Sequence, residues 1–328
     1  MTPLSSLRPS KDASALLAYL TVSLFWGSTY LAIRVGVEYL PPAAMAAMRF
    51  LIAGCLMLLI ARITGRSLPS RLIDWRTNLI VGVLLLGVAN GLVVWAEQFI
   101  ESGIASIMVV TATLWMVLFS AILPGQKVRP SPSQLCGLLI GFAGTAVLVG
   151  ADLDTLRTAD LRGPIALTLA AASWGLGTVY SQRHPMCSGP FVNSGLQMIF
   201  GGLGLTLAAT VRGEWTGLGF SWQGAAVVAY LAIFGSIVAF TAYVHLLRLW
   251  PANVAGTYTY LNVVVAVFLG WLILGEPMTA RTLFAAATVL ASVAWVRAGG
   301  RRHERARTDD SGVEPGPTGP SVVESRVT

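Results

Sequence analysis

Arg49 stands seven residues after Pro42, inside a run that is otherwise apolar. A guanidinium at mid-depth in hydrocarbon costs roughly 2.5–3.5 kcal/mol on insertion scales, so it must meet a partner or a cavity. Two uses suit it. It can bind a carboxylate or phosphate through its planar fork, or tie its helix to carbonyl oxygens of a neighbour. Asn90 and Glu97 are also seven apart and share one helical face. Glu97, near the end of its run, can take a proton or an amine; the alternative is a solvated carboxylate at the rim. His245 shares a face with Thr241 and Arg248. Its imidazole titrates near neutrality and is a second candidate for proton coupling, against the plainer use of a satisfied interfacial residue.

Aromatic residues recur at helical spacing. Trp26 and Tyr30 are four apart, as are Tyr258 and Asn262; Trp174 pairs in the same way with Thr178. Met108, Ala112 and Trp115 lie along one face of another run. Rings with a few hydroxyls and amides suit an amphipathic organic molecule. The competing use is helix packing or an interfacial belt, which is the reading for Trp75, Trp222, Trp250 and Trp271. Gly87-x-x-x-Gly91 and Gly137-x-x-x-Gly141 allow close helix approach.

The missing motifs narrow the chemistry. The chain holds no GxxxxGK[ST] phosphate loop, no HExxH and no paired acidic metal motif within its apolar runs. Asp152 and Asp154 read as loop acids. Cys55, Cys136 and Cys187 form neither a disulfide framework nor a zinc site. The expectation is therefore no enzyme, no metal and no cofactor, with any work driven by a gradient.

The elements that must position these groups are membrane helices. Charged residues make up 11% of the 328, where soluble domains carry about 25%, and mean hydropathy is +0.70. Such a chain has no polar coat for a water-facing surface. Ten runs are long enough to span: 15–35, 42–61, 77–96, 103–123, 133–150, 163–182, 189–211, 222–247, 252–274 and 278–298. The net charge of +7 sits mainly in short loops and the tail, which suits anionic lipid rather than nucleic acid. With the N-terminus in the cytoplasm, sixteen lysines and arginines fall inside and five outside. Both termini are therefore expected in the cytoplasm. Twenty arginines against two lysines hint at a GC-rich bacterial genome.

An internal repeat organises the runs. At an offset of 148, Trp26-Gly27 falls on Trp174-Gly175, Pro42 on Pro190, Gly54 on Gly202 and Gly87 on Gly235. Arg49 falls on Gln197, so any role it has is asymmetric. The expected fold class is an all-α integral membrane protein of ten helices in two inverted five-helix repeats. Its parts are an N-terminal segment 1–14, a first repeat 15–150, a linker 151–162, a second repeat 163–298 and a disordered tail 299–328. Five spans per half invert the second half, an architecture that offers two conformations around a midplane site.

Trp26-Gly27-Ser28-Thr29-Tyr30, Pro41-Pro42, Arg49-Phe50 and Gly275-Glu276 resemble the signature of the EamA-type drug/metabolite transporters. The stretch from Trp26 to Arg49, with Gly235-Ser236 and Tyr258 to Asn262, is similar to the YedA-like inner-membrane exporters. The resemblance implies a bacterial inner-membrane carrier, often dimeric, that exports amino acids, metabolites or drugs. Trp26, Tyr30, Arg49, Asn90, Glu97, Trp115, Trp174, Tyr258 and Asn262 are the expected substrate contacts. The expected partners are a small organic solute, lipid and a second copy of the chain. Uptake, facilitated diffusion, or a sensor that binds without translocating are the rival functions. The family usually has a proline midway along helices four and nine. Thr113 and Val263 stand there, and Gly125-Gln126 replaces the first Gly-Glu. Without proline, the case for a kink in either helix weakens.

Overall fold

The computed structural model describes residues 11–123, 131–149, 160–216, 218–250 and 255–311, which hold helices, turns and loops but no strand. In chain order the helices are α1 (Lys11–Gly36), α2 (Pro42–Ile63), α3 (Leu72–Ala96), α4 (Ser102–Ile122) and α5 (Pro132–Val149). They continue with α6 (Arg162–Arg183), α7 (Pro190–Val211), α8 (Trp222–Leu249), α9 (Tyr258–Leu274) and α10 (Ala280–Ser311). Six of them, α1 to α4, α7 and α8, are long and apolar enough to cross a membrane. Shorter apolar stretches lie in α5, α9 and α10. Leu16, Leu17, Leu20 and Leu24 of α1 and Leu203, Leu207 and Val211 of α7 are exposed. In water such an apolar exterior would drive association; against lipid tails it costs nothing. The Gly125-Gln126 and Asp152/Asp154 positions, and most of the expected linker, lie outside the described residues.

The packing maps onto itself at the repeat offset. α1 packs on α9 and α8, and its repeat mate α6 packs on α4 and α3. The mates α2 and α7 pair with each other most extensively, and the mates α5 and α10 also pack together. Glycine makes the α2–α7 contact close. A Cβ on Gly54 would lie 3.0 Å from the Gly195 carbonyl, and one on Gly202 would lie 3.2 Å from the Leu51 amide. The Gly54–Gly202 alignment is thus a packing requirement, met once from each side of one interface. The contacts run antiparallel. Pro42 and Pro190 each open their helix at its first turn, where a missing N–H costs nothing.

Both α3 and α8 widen into a π-helical stretch, Val83–Ala89 and Leu231–Val238. Their starts are 148 apart, and they contain the aligned pair Gly87 and Gly235. A π-turn interrupts the regular hydrogen-bond ladder and re-aims its carbonyls. Side chains take them up: Ser173 Oγ donates to Leu84 O (2.8 Å), Asn90 Nδ2 to Leu85 O (3.3 Å) and Ser236 Oγ to Leu231 O (3.0 Å).

Two further features differ from expectation. α4 breaks at Val110-Thr111 although no proline is present. Thr111 Oγ1 donates to Met108 O at 2.6 Å and Leu114 N to Thr111 O at 2.8 Å, so three-residue bonds tighten the chain where a proline would otherwise break it. The last helix also continues past residue 298, to Ser311. The Ala, Arg and Glu residues there are good helix formers, and no proline intervenes before Pro315.

Candidate functional site

Arg49 is 5% exposed. Its Nε donates to Ser236 Oγ at 3.1 Å and its Nη2 to Gly235 O at 3.5 Å. Its carbon fork also lies over the Phe50 ring, 4.7 Å from the centroid. The structural use of this arginine is thus occupied: it ties α2 to the π-helical stretch of α8. Trp26 Nε1 donates to the same Gly235 oxygen at 3.0 Å. α1 and α2 of the first repeat therefore meet at one re-aimed carbonyl of the second.

Above that junction three rings cluster. Trp26 lies 5.4 Å from Tyr243 and 5.0 Å from Tyr258 between centroids, and Tyr243 lies 5.6 Å from Tyr258. All three pairs are tilted or edge-on, the geometry aromatic quadrupoles favour. The rings touch, so the centre of the cluster is filled. Tyr243 is the member missed in the sequence. Its signal was available: it lies eight residues after Gly235, roughly two turns along α8. Asn262, with its nitrogen turned toward them, donates to Ser23 O (3.0 Å) and Tyr258 O (3.2 Å), joining α9 to α1. Its amide nitrogen is spent on the scaffold.

The remaining candidates separate. Asn90 holds its own helix at Leu85 O. Trp115 stacks on Phe119 (5.8 Å) and meets Phe142 edge-on (5.4 Å), and its buried Nε1 has no hydrogen-bond partner among the described residues. Trp174 packs partly buried on the main core, beside Gly175, whose backbone lies against Trp115. His245 is exposed; its Nε2 is 3.0 Å from Ser14 Oγ. These two groups lie at one end of a groove of about 480 Å³ between α1 and α8, whose lining includes Thr21 and Thr241. The lining runs from Ser14 and His245 to Thr21 and Ile237 and does not include the three rings of the aromatic cluster.

A second polar cluster occupies the opposite end of the bundle. Glu97 ends α3 fully buried, within electrostatic reach of Tyr30, Arg34, Arg49 and Glu276. Glu276 was noticed in the sequence only as part of a Gly-Glu pair. Its carboxylate accepts from Ser102 N (2.7 Å), Ser102 Oγ (2.9 Å) and Gly103 N (3.1 Å), capping the first turn of α4. Gly275 makes this possible. Its φ of 65° ends α9 in the left-handed conformation and turns the next residue back over the helix end. Glu101, between α3 and α4, has its carboxyl pushed up by burial and then by the charge of Glu276.

A profile of the EamA-like transporter family matches residues 13–150 and again 161–298. The two matches start 148 apart, the offset of the glycines and of the π-helical stretches. The chain belongs to the EamA-like transporter family. Over 284 residues it is 36% identical to the uncharacterized inner membrane transporter YedA of Escherichia coli K12, covering 86% of this chain and 90% of that protein. The uncharacterized transporter YoaV of Bacillus subtilis is 23% identical over 283 residues, covering 85% and 94%. A crystal structure 24% identical in sequence superposes with a TM-score of 0.59, covering 89% of this chain and 99% of that one; it shares the fold. Both family copies contribute to the junction described above: Trp26 and Arg49 come from the first, Gly235, Tyr243 and Tyr258 from the second.

Proposed function

We propose that this protein is a secondary transporter of the bacterial inner membrane that exports a small organic solute by alternating access. The observation that carries the reading is the junction at Gly235, where the aromatic cluster and the buried arginine join the two repeats. A solute binding there would part Trp26, Tyr243 and Tyr258 and be held between rings, with the tyrosine hydroxyls and Arg49 for its polar end. Tyr30, Asn90, Trp115, Trp174 and Asn262 complete the proposed lining or hold it in shape. The groove between α1 and α8 is the proposed route on one side, and the end closed by Glu276 is the other.

The antiparallel pairing of α2 with α7 and of α5 with α10 supports a ten-span, inverted-repeat arrangement. The excess of basic residues supports both termini in the cytoplasm, and with that orientation the Glu276 end would face outward. The name of the Escherichia coli relative supports the inner membrane. Export is favoured over uptake by the resemblance to exporters, and facilitated diffusion needs no titratable group at all. A homodimer remains a proposal drawn from the resemblance alone.

The test is flux. Purified protein in proteoliposomes is offered labelled amino acids, sugars and cationic drugs. Saturable movement of one of them supports a carrier. Binding without movement would make the protein a sensor.

A further inference from the structure

Glu97 does nothing for packing that its surroundings repay. Its side chain is 0% exposed, and neither carboxylate oxygen has a hydrogen-bond partner among the described residues. The groups facing it are Tyr30 and Arg34 on α1, Arg49 on α2 and Glu276 beyond α9, while Glu101, in the loop that follows, faces Glu276 and Arg34. Neither arginine pairs with it. Arg34 Nη1 donates to the backbone carbonyl of Glu97 at 2.6 Å, and Arg49 is committed to Ser236 and Gly235. On α6, Arg162 turns outward to Asp160. Taking an unpaired carboxylate out of water costs several kcal/mol. The neutral acid is the form that fits.

Its neighbour behaves in the opposite way. Glu276 is engaged by three donors of α4 and so ties the end of α9 to the start of α4. A negative charge on Glu97 would act on that tie through a poorly screened interior, where charges a few ångströms apart interact strongly.

We propose that Glu97 is a proton-binding site that governs opening of the bundle at the Glu276 end. This rests on the alternating-access reading above. While Glu97 carries its proton, the Glu276–Ser102 tie holds and this end is closed. When the end opens, the proton leaves to water on that side, and the new charge repels Glu276 and disfavours closure. Reclosing takes one proton back from the same side. His245, exposed and bonded to Ser14 at the other end, has no part in this step.

The experiment needs no substrate. Ile104→Cys, beside Gly103 at the Glu276 end, is placed in a chain whose three native cysteines are replaced. Labelling by a maleimide is followed in nanodiscs from mildly acid to alkaline pH, and each rate is divided by that of the same protein carrying Glu97→Gln. The quotient cancels the pH dependence of the thiol. It should rise several-fold toward alkaline pH, and Glu97→Asp should retain the rise. Infrared spectra at neutral pH should show the carbonyl stretch of a protonated carboxylic acid that Glu97→Gln removes. A flat quotient, or a neutral-pH spectrum in which Glu97→Gln removes no such band, overturns the proposal. Solute flux is measured separately on the same preparations. Flux with a flat quotient removes the proton gate and leaves the carrier standing; binding without flux removes the carrier reading.

Discussion

Trp26 and Arg49, on adjacent helices of the first repeat, donate to one acceptor in the second: Gly235 O receives Trp26 Nε1 at 3.0 Å and Arg49 Nη2 at 3.5 Å. That carbonyl lies within the π-helical stretch of α8. The relationship fixes what should happen when either donor is removed.

Arg49→Ala should abolish transport and destabilise the protein by more than Arg49→Lys does. Alanine leaves Gly235 O with Trp26 alone and removes a buried donor from Ser236, a loss of about 1–3 kcal/mol. Lysine restores a charge but lacks the fork that reaches both partners. Thermal unfolding followed by tryptophan fluorescence, together with flux, checks the order. Native flux and native stability in Arg49→Ala would remove any role for this residue.

Trp26→Phe keeps a ring against Tyr243 and Tyr258 but loses the Nε1 donor. About 1 kcal/mol of stability should go, and solute binding should weaken modestly. Trp26→Ala should weaken binding much more, since the ring surface goes as well. Equal effects from the two variants would mean that the bond to Gly235, rather than the ring, is what matters.

Gly54→Val and Gly202→Val should each disrupt the α2–α7 interface, at about 1–3 kcal/mol for overpacking. Gly204→Ala, on the same helix as Gly202 with nothing within 4 Å of its Cβ, should be silent. Size-exclusion profiles in detergent report the difference. A monodisperse, native-like Gly54→Val protein would show that the close approach is not required.

These glycines also show what could be read from the sequence. A helix contact that excludes a Cβ leaves its mark on residue type, so the 148-residue repeat was visible through Gly54/Gly202, Gly87/Gly235 and the first-turn prolines. The apolar runs gave α2 and α4 to α8 to within two residues at each end, because hydrocarbon admits few other structures; α1, α3, α9 and α10 each begin or end further off. The π-helical stretches were not legible: they are shifts of hydrogen-bond register with no residue type of their own. Asn262 looked like a free ligand because the carbonyl of Ser23 that receives it belongs to another helix. Tyr243 was legible only by carrying the helical spacing on from Gly235, two turns along α8. The break in α4 at Thr111 was hidden because it rests on a hydroxyl and three-residue backbone bonds, with no proline to mark it.

Glu276→Ala should free the first turn of α4, leaving the buried Ser102 donors unmet at about 1–3 kcal/mol. Ser102→Ala should cost less, because the two backbone donors remain. A maleimide on Ile104→Cys should react faster in the Glu276→Ala background at every pH. Unchanged reactivity would show that α4 and α9 are held together elsewhere.

The central claim is that a solute crosses the membrane past the rings that meet at Gly235, and the direct measurement is flux through Tyr258→Ala. Tyr258 packs on both Trp26 and Tyr243. With a solute that the native protein moves, proteoliposomes holding equal amounts of folded Tyr258→Ala should need a several-fold higher concentration for half-maximal rate, while Arg71→Ala, in a loop, should match the native protein. A native concentration dependence in Tyr258→Ala would contradict the account and move the site away from the junction of the repeats.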